Sequence, residues 1–524
     1  MTFRIVADSL KSWVSKPSSQ ILLILLFAAL LRTIHINNPY VEMYSWREAS
    51  TAMMAKNLYE GKTSILYPEV NWGGPGPSYQ GREFQTVTFI ASQLYKVFGL
   101  KEWVGRAVSI FFGLIGILAF FGIISEVWDK RRAVLSAFIL SILPGSIYLE
   151  RSFLPDPAMV SLILVSLYFS IIYIKRKKII FLVLASLFGC LGVLTKLNGA
   201  VLGIPFLYIF IVAIKKGFIN KFETARLIVI LMLILAIVAS YYLWVNHLAS
   251  SYPPYHFAGS GKFLSSLSKL KEWIHKSYFI HELYYLLTRW LWGGPVFLLF
   301  FIGLAFSPPK VDLFRWLFYF WVLAMVVQFG VEANHLVIDA NNALTFNPAA
   351  AFFSADVLIR IQDYYKKISG KIGVSLVLFV SLLVIFFSSY GEIRFSYYKL
   401  YYNQYKMGLK LKEIANPDDL VVTMGQNPIT IYYSGLNGWL FPPAYLWKDH
   451  YKPDYAENDA QILEKLANEG ANWVVIPKKS SYVGEMNLYD MERNIPDVYE
   501  SLTKNFEIHL EDEFGIIYKS KKVD

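Results

Sequence analysis

Residues 150–178 read ERSFLPDPAMVSLILVSLYFSIIYIKRKK. The stretch opens on a turn that carries two acids and a base, Glu150, Arg151 and Asp156, with Asp156 held between Pro155 and Pro157. It continues as an apolar run to Ile174 and stops on Lys175-Arg176-Lys177-Lys178. Crossing the hydrocarbon of a bilayer takes about 20 mostly apolar residues. Residues 157–174 therefore read as a membrane span whose basic end lies in the cytoplasm. Outward from it, comparable runs occur at 20–36, 104–128, 133–149, 179–195, 199–214, 227–248, 292–307, 314–332, 343–361 and 371–389. That makes about eleven spans, of which 343–361 is interrupted by Asp356.

The charge clusters agree with this alternation. Lys130-Arg131-Arg132, Lys175 to Lys178, and Lys215, Lys216, Lys221 and Arg226 each fall on the side that it makes cytoplasmic, as do Arg4, Lys11 and Lys16 before the first span. An odd count places the C-terminus outside. Composition supports the class: of 524 residues 55% are hydrophobic and 17% charged, where a soluble chain carries about 25% charge. The net charge of +11 is then topological rather than a nucleic-acid footprint. Disorder, a collagen-like chain and a soluble nucleic-acid binder are excluded. The single cysteine, Cys190, lies in an apolar run, so no internal disulfide or cysteine metal site forms.

The expected architecture is an all-α polytopic membrane protein over residues 1–389, in the cell membrane, with a small α/β domain outside over 390–524. Leu420 to Thr423 and Trp473 to Ile476 read as buried strands and 461–470 as a helix ending at Gly470. The first outer loop, 37–103, holds two stretches of helical spacing, 48–60 and 84–98, which either lie flat on the membrane or pack on protein. Between them Trp72 to Gly81 is crowded with Gly and Pro, a tight loop able to approach a ligand.

Charges near the membrane surface on the outer side are the informative ones, because desolvation makes them costly. They gather at Ser45-Trp46-Arg47-Glu48, at Glu150 to Pro157, and at Thr195-Lys196-Leu197-Asn198. Asp156 is either a carboxylate serving the helix N-terminus or a fixed carboxylate facing a cavity. Lys196 is either a snorkelling flank lysine or a cation of that cavity. Glu48 is either a solvated helix-start acid or its partner. Acids and bases on one face suit a reaction in which a hydroxyl loses a proton while a phosphate leaves.

The motifs resemble those of GT-C membrane glycosyltransferases, the protein-O-mannosyltransferase-like and aminoarabinose-transferase-like enzymes. The resemblance is carried by Trp46-Arg47-Glu48-Ala49, 52–61, Ile65-Leu66-Tyr67-Pro68, Gly81-Arg82-Glu83-Phe84, Glu102 to Arg106, Arg151 to Pro157, Leu194-Thr195-Lys196, and Tyr432 to Gly435 with Gly438-Trp439. It implies a GT-C fold and transfer of a sugar from a polyprenyl-phosphate donor to a hydroxyl of a protein, lipid or glycan, with inversion. By position it implies Glu48 as general base and Asp156 as the acid between spans three and four. Arg82, Arg151 and Lys196 would bind the donor phosphate, and Arg47, Trp72 and Glu83 would line the acceptor or loop-one site. Relatives often begin the loop helix with Asp-Glu, or place an Asp where Ser50 stands; here Arg47 precedes Glu48, which leaves one catalytic acid in loop one. A divalent metal would need Asp156, Glu48 and His335 brought together. Two other classes compete: a polyprenyl-linked sugar flippase, which would place charges at the midplane and show paired repeats, and a non-catalytic membrane subunit.

Overall fold

The computed structural model describes residues 16–255, 277–368, 370–441, 458–478 and 491–521. Arg4, Lys11 and the side chain of His335 lie outside the described residues. The chain divides into two compact units. One comprises Met1–Ile36, Arg106–Ser240 and Ser260–Phe395; the other comprises Asn37–Gly105, Tyr241–Gly259 and Ser396–Asp524.

The first unit is helical. Among the described residues of the whole chain, six helices are long and apolar enough to span a bilayer: Glu102–Val127, Asp156–Arg176, Leu197–Lys215, Lys221–Ser251, Ala340–Lys367 and Ser375–Ile414. Ile280–Leu291 and Gly294–Ala305 meet at 110° and make a seventh if they are one span. Pro17–Arg32, Ile179–Thr195 and Leu317–Glu332 are shorter apolar helices. The run expected at 133–149 is two helices, Lys130–Ile142 and Pro144–Tyr148. Pro144 forces the residue before it out of helical space, and Leu143 is extended at φ −62°, ψ 142°.

Ion pairs tie the basic clusters into one face of this unit. Lys175 pairs with Glu126 at 3.2 Å and Lys177 with Glu223 at 3.1 Å. Asp356, which interrupts an apolar run in the sequence, is buried between Arg132 at 3.1 Å and Arg360 at 2.7 Å. A carboxylate within an apolar helix is tolerated when opposite charges meet it. The helices starting at Lys130 and ending near Ile368 thus share this face.

Among the described residues the second unit holds a six-stranded sheet of order β1-β3-β2-β4-β6-β5. The strands are β1 Gly73–Gly74, β2 Leu420–Met424, β3 Asn437–Phe441, β4 Ala471–Pro477, β5 Phe506–Glu511 and β6 Gly515–Ser520. The three strands β3, β2 and β4 are parallel, while β1, β6 and β5 join antiparallel. Near-continuous apolar runs such as Leu420–Met424 mark parallel strands covered on both faces. Val422, Met424, Val474 and Ile476 pack on one side with Leu463, Leu466 and Leu502. Val421, Trp473 and Val475 pack on the other with Met407 and Leu411, and with Met53, Met54, Val70 and Trp72 from loop one.

Loop one therefore covers one face of the sheet and also extends its edge. Gly73 pairs with Trp439 and Gly74 with Gly438, and Asn71 Nδ2 donates to Asn437 Oδ1 at 2.7 Å. Gly74, at φ +102°, sits where a Cβ would meet the Trp439 indole at 2.9 Å. A Cβ on Gly438 would fall inside the Val421 backbone of the neighbouring strand. Gly438→Ala is accordingly expected to destabilise this unit by about 1–3 kcal/mol or more, read as faster protease nicking after residue 396 than in the unchanged protein.

Candidate functional site

The turn Glu150–Pro157 is fixed from both ends. Arg32 closes it at one end: its Nε and Nη2 donate to Glu150 Oε2 at 3.1 and 2.8 Å, and its Nη1 donates to the carbonyls of Ala28 and Ser141. Arg151 is fully buried; its Nη2 donates to the His35 carbonyl at 2.7 Å and its guanidinium lies 5.6 Å from the Tyr148 ring centroid. At the other end the helix Asp156–Arg176 begins.

Asp156 opens that helix without capping it. Its carboxylate, 1% exposed, turns to Lys196 and Asn341 instead. Lys196 Nζ donates to Asp156 Oδ1 at 2.6 Å and to Asn342 Oδ1 at 2.7 Å, and Asn341 Nδ2 donates to the same Asp156 oxygen at 3.2 Å. Asp156 Oδ2 and Asn341 Oδ1 are buried and accept no hydrogen bond among the described residues. Lys196, 5% exposed, is a paired cation rather than a snorkelling one. The first unit thus brings Asp156 and Lys196 into contact: one carboxylate oxygen is pinned and the other is buried with no hydrogen-bond partner among the described residues.

Sequence reading missed the rest of this network. Gln328 and Glu332 lie one turn apart on the helix Leu317–Ile338. Glu332 Oε2 accepts from Asn198 Nδ2 at 2.7 Å and from Gln328 Nε2 at 3.2 Å. Gln328 Nε2 also donates to the Asn342 carbonyl at 2.9 Å, and its Oε1 accepts from Thr345 Oγ1 at 2.6 Å. The available signal was two polar residues at i and i+4 in a predominantly apolar helix, which share a face.

The loop-one candidates belong to the second unit. Glu48 lies in the first turn of the helix Ser45–Tyr59 and is 0% exposed, so it is not a solvated helix-start acid. Arg47 and Glu83 are half-buried. Trp72 is buried, 6.1 Å from Trp46 between ring centroids. Arg82, 3% exposed, lies 5.3 Å from the Trp46 ring centroid and donates through Nε to Gln80 Oε1 at 2.6 Å. Burial lowers its pKa to about 10, against the raising effect of Glu83, which leaves it a cation at neutral pH. Arg82 Nη2, Gln80 Nε2 and Trp46 Nε1 are buried donors with no hydrogen-bond acceptor among the described residues. Unmatched donors around a buried guanidinium favour an anion. The motif around Tyr433 is structural: its hydroxyl donates to Glu102 Oε1 at 3.0 Å and accepts from the Tyr40 N–H at 2.8 Å.

Among the described residues no three His, Cys, Asp or Glu side chains gather to hold a metal ion; of the set Asp156, Glu48 and His335, the His335 side chain lies outside the described residues.

The sequence model of the dolichyl-phosphate-mannose-protein mannosyltransferase family matches residues 86–244. No curated protein sequence matches the chain. Among solved structures, ArnT from Cupriavidus metallidurans bound to undecaprenyl phosphate superposes with a TM-score of 0.62 at 13% identity, covering 95% of this chain and 97% of that one. The Archaeoglobus fulgidus oligosaccharyltransferase in complex with Zn and sulfate gives 0.56 at 15% identity, covering 95% and 73%. The archaeal oligosaccharyltransferase AglB from Archaeoglobus fulgidus, in complex with an inhibitory peptide and a dolichol-phosphate, gives 0.54 at 14% identity, covering 96% and 74%. The chain therefore shares the GT-C fold of these structures, and residues 86–244 match the sequence model of the mannosyltransferase family.

Proposed function

We propose that this protein transfers a sugar from a polyprenyl-phosphate carrier to a hydroxyl of a protein, lipid or glycan at the outer face of the cell membrane, with inversion at the anomeric carbon. The observation that carries this reading is Asp156, a buried carboxylate with Oδ1 pinned by Lys196 and Asn341 and Oδ2 left without a hydrogen-bond partner among the described residues. Such a group holds a fixed direction toward a substrate hydroxyl. In the reaction, the acceptor oxygen attacks the anomeric carbon from the side opposite the phosphate. Glu48 takes the acceptor proton, Asp156 orients the acceptor, and the bond between carbon and phosphate oxygen breaks. Arg82, Arg151 and Lys196 neutralise the leaving phosphate, while Arg47, Trp72 and Glu83 border the acceptor. The carrier bound to ArnT in its crystal structure is undecaprenyl phosphate, and the sugar-loaded form of such a carrier is the donor class expected here.

In the same reading the six spans and the bent pair, the three shorter apolar helices and the broken run 130–148 make eleven crossings. The basic face is cytoplasmic and the residues from 390 onward lie outside. The test uses purified protein with a labelled polyprenyl-phosphate sugar and mass spectrometry of the lipid that co-purifies. Glu48→Gln is expected to lower turnover about 100- to 10,000-fold, the usual worth of a positioned base. Equal turnover by the two proteins would remove Glu48 from its role.

A further inference from the structure

We propose that Glu332 is a positioning residue for the Asp156–Lys196 pair, acting with Gln328 as a clamp on the two segments that supply Asp156 with its hydrogen-bond donors. This rests on the reading of Asp156 given above.

The starting point is cost. Glu332 is 6% exposed in a helix of predominantly apolar residues, where a carboxylate is retained only against a compensating gain. No ion pair among the described residues includes it. Its hydrogen-bond partners are two amide side chains, Asn198 and Gln328. Lys196 and Asp156 are near enough to act on it electrostatically, yet Lys196 points its ammonium at Asp156 and Asn342. Glu332 is thus used as a hydrogen-bond acceptor, not as a counter-ion.

What it accepts from decides its role. Asn198 is two residues beyond Lys196, in the short helix Leu197–Leu202 that follows it. Gln328 grips the segment Ala340–Phe346 at two places, the Asn342 carbonyl and the Thr345 hydroxyl. That segment carries Asn341 and Asn342, and both donors on Asp156 Oδ1 therefore sit on backbone held by one helical turn of Leu317–Ile338. Gln328 bridges the two grips, because the same amide nitrogen serves Glu332 and the Asn342 carbonyl. Releasing the clamp frees Lys196 and Asn341 to shift, and with them the direction of Asp156 Oδ2. Misplacement of a reacting group by about 1 Å costs on the order of 100-fold in rate.

The test compares Glu332→Ala, Glu332→Gln and Lys196→Met, alone and with Glu332→Ala combined with Lys196→Met, in purified full-length protein. Amide hydrogen exchange over 195–202 and 340–346 is read alongside turnover. Glu332→Ala is expected to speed exchange in both segments and to lower kcat about 10- to 100-fold with KM nearly unchanged. Glu332→Gln keeps an acceptor oxygen for both amides and is expected to restore both readouts to within about 3-fold. In the double variant Glu332→Ala is expected to add little to Lys196→Met, since the two act as one unit. Unchanged exchange in Glu332→Ala, or Glu332→Gln as damaged as Glu332→Ala, overturns the clamp. Should Glu332→Ala fail to fold, Asn198→Ala takes its place: it cuts the same bond from the other side and must reproduce the kcat loss, or the proposal falls. If the unchanged protein transfers no sugar, the function proposed above fails, while the exchange measurement still decides the clamp.

Discussion

Asp156→Asn is expected to lower turnover at saturating donor by about 100-fold or more, with the protein still folded. The substitution keeps the shape of the side chain and changes what it presents. Asp156 offers only acceptors; one oxygen meets Lys196 and Asn341, and the other has no partner among the described residues. An amide at this position must present an N–H group somewhere. If the N–H faces outward, the substrate hydroxyl meets a donor where it needs an acceptor. If it faces Lys196, two donors oppose each other in a buried site, and in either orientation the buried Lys196 ammonium loses its counter-ion, which costs about 3–5 kcal/mol. Combining Asp156→Asn with Lys196→Met is expected to recover that stability but not the turnover. Turnover of Asp156→Asn within about 3-fold of the unchanged protein would be too small for a positioned reacting group and would remove Asp156 from the reaction.

The second large effect is on stability. Arg32→Met is expected to destabilise the first unit by about 3–5 kcal/mol, the cost of leaving one partner of a buried ion pair uncompensated. Arg32 has a fully buried side chain and commits Nε, Nη1 and Nη2 to Glu150, Ala28 and Ser141. Glu150 in turn needs Gly113 beside it, where a Cβ would come within 2.5 Å of Oε2. Arg32→Met with Glu150→Met is expected to return most of the loss, because apolar groups of similar size replace a buried pair at little cost. The measurement is the unfolding midpoint in a denaturing-detergent titration. Equal midpoints for the single variant and the unchanged protein would mean that the pair carries no net energy. The pair matters to the site because Glu150 begins the turn that ends at Asp156.

Much of the helical architecture is legible in the sequence because two strong physical signals coincide. Apolar length marks Asp156–Arg176 and Lys221–Ser251, and the basic clusters mark where they end. Lys196 is conspicuous because a lysine in a short turn between apolar runs has to be accounted for. The broken helix at Pro144 was available from its proline but hidden by the apolar residues on either side of it. Asp356 reads as a defect until Arg132, 224 residues away in sequence, is placed beside it. Glu332 was hidden in a similar way: it stands at the end of an apolar run, and its role depends on Asn198 and on Gln328's grip on Asn342. Such partners are fixed by tertiary packing, which has no period to read. The strands at 420–424 and 471–477 were legible from their β-branched runs. Gly73 and Gly74 as a strand of the same sheet were not, because two glycines carry no pattern.

That two-residue strand bears on how the protein is made. Asn71 meets Asn437 across 366 positions, and at about 5–20 residues per second a ribosome needs roughly 20–70 s to polymerise the intervening chain. Throughout that interval the glycine- and proline-rich segment beginning at Trp72 has emerged without the sheet that will cover it. Nascent chains halted before β3 are expected to need a holding factor, and translation speed across the last third of the message becomes a determinant of yield.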